Sequence, residues 1–233
     1  MRGVIRAPAA AILFAAGQVM AQGADQARVP LDHGTLVVSG PVMAPASPDI
    51  FGTVALGAGV TAYGARWRRV SAADEADPRI TALAAAAVAS GGDPLTRLAA
   101  VHAEVGERIR WRRDLDCYRV SDYWAQAGET LTRGEGDGED IAILKMQILK
   151  AAGFAPRDIY LSIGHDRSRG ADSLLLVRVG GEFYALDDRQ PQPQRASAGL
   201  RFKPVITLGR GSAWVHGRRI ATRQARPVVA ALR

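Results

Sequence analysis

The chain has 233 residues, 48% hydrophobic and 23% charged, which is globular usage and excludes wholesale disorder. Its single cysteine excludes an internal disulfide and any paired-cysteine zinc or redox site. No apolar run of about 20 residues follows the N-terminus, which excludes a polytopic membrane protein. The net charge of +7 comes from arginines spread along the chain, with no helix-turn-helix, zinc-finger or RNP motif beside them, so nucleic acid is not an expected partner.

The first residues have the layout of a signal peptide. Arg2 and Arg6 form a basic start, Ala9 to Ala16 is a short apolar stretch, and Val19-Met20-Ala21 offers a cleavage site. Residues 1–21 are therefore expected to be removed, leaving a periplasmic or secreted chain with no stable membrane insertion. Residues 22–49 are rich in Gly, Pro, Ala and Ser and are expected to form a flexible extension with one short strand at Thr35–Val38. The folded domain is expected over 50–220, with a basic tail at 221–233.

Within that domain Trp67 is a candidate core anchor, and the alanine-rich stretch Ile80 to Ala89 predicts a helix. Asp93-Pro94 places a cap before a proline at the first helical position. Leu95, Leu98, Val101 and Val105 then carry a second helix to about Ile109. Asp122-Tyr123-Trp124 leads into a short segment ending at Leu131. The Gly/acid turn from Gly134 to Asp140 feeds a clear helix with Ile141, Leu144, Ile148 and Ala152 on one face and Gly153 at its end. Asp137 is its candidate N-cap, and Glu139 and Asp140 suit the positive end of its dipole.

Alternating Ile159, Leu161 and Ile163 predict a strand over 158–163. A second is predicted over 173–179 and a third over 182–186, joined by the two-residue turn Gly180-Gly181. Residues 204–208 and 213–216 are two further strand candidates. Helices followed by antiparallel strands make an α+β fold.

The histidines show no metal spacing. His33 falls in the extension, His102 between core positions of a helix, His165 in a loop among arginines, and His216 near the C-terminal arginines. Cys117 lies in a loop before Trp124, away from any recognised helix N-terminus, which is the setting of an unreactive thiol.

A helix that starts after a Gly-rich acidic turn, followed by a hairpin and a strand ending in Asp, resembles the plan of papain-like and transglutaminase-like thiol enzymes. More narrowly, the chain resembles the bacterial transglutaminase-like cysteine peptidases, a periplasmic family whose best-known members clip biofilm adhesins. The matching stretches run from Phe51-Gly52-Thr53 to Pro204-Val205-Ile206-Thr207. Between them lie Ala65 to Val70, Asp122 to Ala125, Glu129-Thr130-Leu131, Gly136 to Ala142, Ala151 to Phe154 and Leu186-Asp187. The resemblance implies a papain/transglutaminase-like α+β fold, its helical N-terminal part packed on an antiparallel sheet.

It also implies a catalytic triad, and here the chain departs from the family. The motif Gly-Asp-Cys-Glu-Asp is Gly136-Asp137-Gly138-Glu139-Asp140, so Gly138 holds the place of the nucleophile. Ser173 holds the place of the base, and Asp187 is the one retained member. Glycine cannot attack a carbonyl, and serine cannot accept a proton at neutral pH. Losing both side chains leaves, by this reading, a neutral and roomier cleft between Gly138 and Ser173, bordered by Trp124.

Asp137 and Glu139 match positions where active relatives help bind calcium; simple helix capping is the other reading. The expected function is a pseudoenzyme that binds a peptide or protein segment, such as an exported adhesin or a periplasmic regulator. One alternative is an active thiol hydrolase with a displaced catalytic group, Cys117 or an activated water. Another is a calcium-responsive structural or signalling module.

Overall fold

The order of elements follows the chain's hydrophobic periods. The computed structural model describes residues 27–31, 34–38, 48–72, 77–197 and 201–219. The expected signal peptide, His33 and the basic tail lie outside the described residues. Strands β1 (Ala27–Leu31), β2 (Gly34–Val38) and β3 (Val54–Ala58) precede helices α1 (Gly64–Ser71), α2 (Pro78–Ala89) and α3 (Pro94–Arg108). Then come β4 (Arg110–Trp111), α4 (Asp114–Cys117), α5 (Ala127–Arg133), β5 (Glu135–Gly136) and α6 (Gly138–Ala151). The rest is sheet: β6 (Ile159–Asp166), β7 (Gly170–Val179), β8 (Glu182–Leu186), β9 (Gln194–Arg195), β10 (Phe202–Gly209) and β11 (Ser212–Arg219). The α+β expectation therefore holds.

Caps fix the helices where the sequence puts them. The Asp77 and Asp93 side chains each accept a hydrogen bond from the first turn of α2 and α3, and a proline follows each cap. Gln126 and Glu129 form a reciprocal capping box on α5. Helix α6 is apolar on nearly every side, with Ile141, Ile143, Leu144, Met146, Ile148 and Leu149 all buried, so it runs through the centre of the molecule. It packs on α1, α2, α3 and α5 and on strand β7. Gly153 ends it with φ +90°, which lets the Phe154 N–H turn back to the Leu149 carbonyl at 3.0 Å.

The main sheet is antiparallel, in the order β2-β1-β11-β10-β6-β7-β8-β9, with β3 also on β11. Side chains alternate across it with period two. Leu161, Leu175, Val177, Leu186 and Leu208 face the helices. Tyr160, Leu174, Leu176, Ala185 and Phe202 form a smaller core with Ile50 and Ala196 on the other face. Gly180 and Gly181 have φ of +60° and +88°, the two left-handed residues a tight hairpin of this hand requires.

Two expectations need correction. The strand expected at 35–38 is present as β2, but 27–31 is a strand as well, not loose extension: the two pair with each other, and β1 joins the end of β11. Backbone pairing, which leaves no apolar pattern, makes them strands. Strand β7 begins at Gly170, three residues before the predicted start. Asp166 accepts hydrogen bonds from the Ser168 and Arg169 N–H groups, which closes a tight turn and lets β6 and β7 pair to Asp166↔Gly170. That stretch is polar, so its strand character is invisible to apolar alternation. Among the described residues no helix is long and apolar enough to cross a membrane.

Candidate functional site

Carboxylates gather at the start of α6. Asp137 occupies the N-cap position, but its side chain makes no capping hydrogen bond. Its Oδ1 is buried without a partner. Asp140 is fully buried; its Oδ1 accepts the Ala125 N–H at 2.7 Å, and its Oδ2 has no partner. Gly136 permits this placement, because a Cβ there would lie 2.7 Å from the Asp140 Cβ. Asp114 opens α4; one of its oxygens accepts the Tyr123 N–H and the other is buried and unpartnered. Oxygens of Asp114, Asp137 and Asp140 lie within 4.8 Å of one another, and so do those of Asp114, Asp122 and Glu139. Asp114 belongs to both sets and links them.

The energetics of this cluster are unfavourable without a cation. Burial pushes the Asp140 carboxyl up to about 8, and it raises Asp114, Asp137 and Glu139 as well. An unpaired buried carboxylate oxygen is costly, and three of them converge here. A hard divalent cation asks for six to eight oxygens, mostly carboxylate and carbonyl. The donor set and its orphaned oxygens fit such an ion. Sequence reasoning found Asp137 and Glu139 and noted Asp140 beside them, but missed Asp114 and Asp122. Their signal was weak: they sit at the two ends of the loop around Cys117, and only the fold brings that loop to α6. Glu135, also nearby in sequence, pairs with Arg112 at 3.0 Å instead.

The resemblance to thiol enzymes placed a nucleophile at Gly138 and a base at Ser173, and the structure brings the two together. It brings them too close for a cleft. A Cβ at Gly138 would collide with Asp172 Oδ1 and stand 2.7 Å from the Ser173 carbonyl oxygen and 3.0 Å from its nitrogen. Asp172 Oδ1 is itself held by the Ser173 N–H at 2.9 Å, so it cannot simply swing aside. The expectation of a roomier cleft is therefore corrected: strand β7 sits directly against the first turn of α6, and the missing side chain leaves no space behind. Trp124, which the resemblance sets at the cleft border and for which core packing is the favoured reading, lies in the core. It is 2% exposed and stacks on Tyr63 with ring centroids 5.7 Å apart, because burying an indole contributes more than rimming a groove.

Asp187 follows the end of β8. Arg189 holds its carboxylate in a fork, with contacts of 2.7 and 2.8 Å. The β7–β8 ladder ends at Leu175 and Leu186, and the chain then turns, with the Gln190 N–H donating to the Asp187 carbonyl at 3.0 Å. Asp187 lines a concavity of about 310 Å³ with Leu174 and Ala185. Asp188 is taken by Arg169 at 2.9 Å, and Arg189 also reaches Asp166 at 2.6 Å and Asp172 at 3.5 Å. These six side chains form one ion-pair network where a base and its orienting acid would work.

Other candidate groups are not poised for chemistry. Cys117 is 9% exposed, its thiol faces the Arg112 carbonyl at 3.8 Å, and burial pushes it up to about 11. His165 lies on β6, not in a loop, and is exposed. Two histidines without a role in the sequence reading are buried. His216 bridges the Thr53 hydroxyl at 2.8 Å and the Thr207 hydroxyl at 2.7 Å, and burial lowers it to about 4. Thr53 already donates to the Ile50 carbonyl, so it accepts from His216 Nδ1–H, while the Thr207 hydroxyl stands between His216 Nε2 and the Ser162 hydroxyl, 3.1 Å away. His102 meets the Lys145 ammonium at 3.2 Å and the Gln190 carbonyl at 2.7 Å. Lys145 is fully buried on α6 and also donates to the Leu186 carbonyl at 3.2 Å; burial lowers it to about 8. A lysine inside a helix of apolar pattern gives no sequence signal that its head group is enclosed.

The geometry agrees with what comparison finds. The chain matches the model of the bacterial transglutaminase-like cysteine proteinases over residues 58–202. No curated protein sequence matches it. Among solved structures it is similar to LapG of Legionella pneumophila, with 22% identity and a TM-score of 0.49, covering 59% of this chain and 84% of that one. Calcium-bound LapG of the same organism gives 21% identity and a TM-score of 0.45, covering 64% of this chain and 93% of that one. A putative cysteine protease from Cytophaga hutchinsonii gives 11% identity and a TM-score of 0.40, covering 59% of this chain and 48% of that one. Since the family model spans well over half the chain, from the end of β3 to the start of β10, this protein belongs to the bacterial transglutaminase-like cysteine proteinase family.

Proposed function

We propose that this chain is an exported, catalytically inactive member of its family, which holds calcium at the acidic cluster and binds a peptide or protein segment without cutting it. The observation that carries this reading is the space at Gly138. Not only is the nucleophile missing; its Cβ would overlap Asp172 and the Ser173 backbone. With Ser173 in place of a base and Asp187 and Asp188 committed to arginines, the triad positions hold no group free to activate water or a thiol. The buried, unactivated Cys117 disfavours a displaced thiol mechanism.

Asp114, Asp137 and Asp140, with Asp122 and Glu139, would hold the ion. A bound calcium supplies positive charge that compensates buried carboxylates. The residues themselves then do structural work: Asp114 ties α4 to the Tyr123 backbone, and Asp140 ties α6 to Ala125. A segment bound at this face rests over the contact between α6 and β7, since it cannot enter between them. The cluster also suits a second reading, a calcium-responsive structural module with no segment to bind.

The test is hydrolysis of fluorescein-labelled casein in the presence of calcium, followed by selection from a phage-displayed random peptide library. The expected result is no hydrolysis above buffer and selected peptides that stay intact on incubation. Gly138→Cys combined with Ser173→His is expected to recover nothing. Hydrolysis by the wild type that disappears in Asp187→Ala or Cys117→Ala would overturn the reading. A library that yields no binder, beside a calcium-dependent rise in melting temperature, would leave the structural module.

A further inference from the structure

Far along α6 from the acidic cluster, the loop after β3, helix α1 and the β10–β11 turn enclose a cavity of about 650 Å³. That is the size of a small-molecule site. Its lining is mainly apolar, including Trp67, Met146, Pro156, Ile159 and Leu208. The one donor of Trp67 is already committed, to the Gly209 carbonyl at 2.8 Å. These five side chains offer no free hydrogen bond, so this part of the lining suits hydrocarbon; Thr61, Ser71 and Ser212 add hydroxyls elsewhere. The cations are a second feature. Arg68, Lys150 and Arg210 also line it, and among the described residues no Asp or Glu does. Lys150 is engaged with the Ser71 carbonyl and Gln147, whereas Arg68 and Arg210 are exposed and have no ion pair among the described residues. Val60, fully exposed beside them, extends the apolar surface outward.

An apolar interior under two guanidiniums with no ion pair among the described residues complements one kind of molecule. We propose that this groove binds a free single-chain carboxylate, its hydrocarbon tail against Trp67, Met146 and Leu208 and its acid group between Arg68 and Arg210. Carboxylate and guanidinium make charge-assisted bonds, and the tail loses water. The proposal stands apart from the inactive-enzyme reading, since none of its residues belongs to the triad positions or the acidic cluster.

The test is calorimetric titration of the full chain with octanoate, decanoate and dodecanoate, each below its micelle concentration. One-to-one binding is expected, with affinity rising about three- to fourfold per added methylene. Decan-1-ol should bind at least about tenfold more weakly than decanoate. The double variant Arg68→Ala, Arg210→Ala should weaken decanoate about tenfold and leave decanol unchanged. Ala65→Trp, on an exposed lining position of α1, should fill the groove and abolish both while the melting temperature stays put. Equal affinity for decanoate, decanol and decyltrimethylammonium would overturn the proposal, as would affinity independent of chain length. A dimer in solution that Ala65→Trp dissolves would overturn it in favour of a second copy. Absence of any heat, with selected peptides losing their binding in Ala65→Trp, would overturn it in favour of a protein segment.

Discussion

Two groups of carboxylates lie at opposite terms with their surroundings. At the start of α6, Asp114, Asp137 and Asp140 converge with no arginine or lysine paired to them among the described residues. At the ends of β6, β7 and β8, Asp166, Asp172, Asp187 and Asp188 meet Arg169 and Arg189. In the first group burial raises the carboxyls. In the second the outcome is divided: burial raises Asp172 to about 6 despite Arg189 and Arg169, while the Ser168 hydroxyl and N–H and the Arg189 guanidinium bring Asp166 down to about 2. Arg169 is held in place by stacking on Trp111 at 4.4 Å. Similar composition thus serves two ends. The second group has unbonded buried oxygens of its own, Asp166 Oδ2 and Asp172 Oδ2, but arginines stand beside these carboxylates, whereas no arginine or lysine among the described residues compensates the three orphaned oxygens of the first.

The comparison is broken most forcefully at Arg189. Arg189→Ala leaves two buried carboxylates, Asp166 and Asp172, and the half-buried Asp187 short of their partner and should cost about 3–5 kcal/mol in urea unfolding. A loss under about 1 kcal/mol would mean the network is not what holds the strand ends. Calcium gives the next effect. At about 100 times its dissociation constant it should add about 2.7 kcal/mol, a rise of roughly 5–10 °C in melting temperature for a domain of this size. The double variant Asp114→Asn, Asp140→Asn should lose the rise, and Asp187→Asn should keep it. A rise that survives the first and vanishes with the second would exchange the roles of the two groups.

Acid sharpens the contrast further. The Asp166 carboxyl titrates near 2 when folded and near its ordinary 3.8 when unfolded. Its stabilisation, about 2 kcal/mol, is therefore complete above about pH 4 and lost as pH falls toward 2. Asp166→Asn should be less stable by about that amount at pH 6 and level with the wild type near pH 2. The smallest effect concerns Cys117, which lies between the groups in function but belongs to neither. Its alkylation rate in the folded protein should keep climbing through pH 10 without a plateau, as expected for a thiol pushed up to about 11. A plateau below pH 8 would reveal an activated thiol.

Much of the fold was legible. Caps at Asp93 and Gly153, the Gly180-Gly181 turn and the alternation along β6 and β8 are local signals, and they place the central helix and the sheet. The β1–β2 pairing and the start of β7 were not legible, because ladder hydrogen bonds between polar or irregular segments leave no hydrophobic period. At the site, the family resemblance pointed to Asp137, Gly138, Glu139 and Ser173. It could not point to Asp114 and Asp122 as members of the cluster, which they reach through the fold of a loop. For Trp124 an indole beside the motif left both a border and a core place open, with the core favoured, and there it packs.

The contact between Gly138 and the Asp172–Ser173 backbone also bears on descent. Once a strand has settled onto a glycine, a single codon change back to cysteine meets a filled space, not an empty one. Such a reversal first passes through an overpacked protein, weakened by about 1–3 kcal/mol, before any second change can move the strand away. On the proposed reading of an inactive family member, the packed glycine acts as a ratchet, and new roles are reached more easily than a nucleophile is regained.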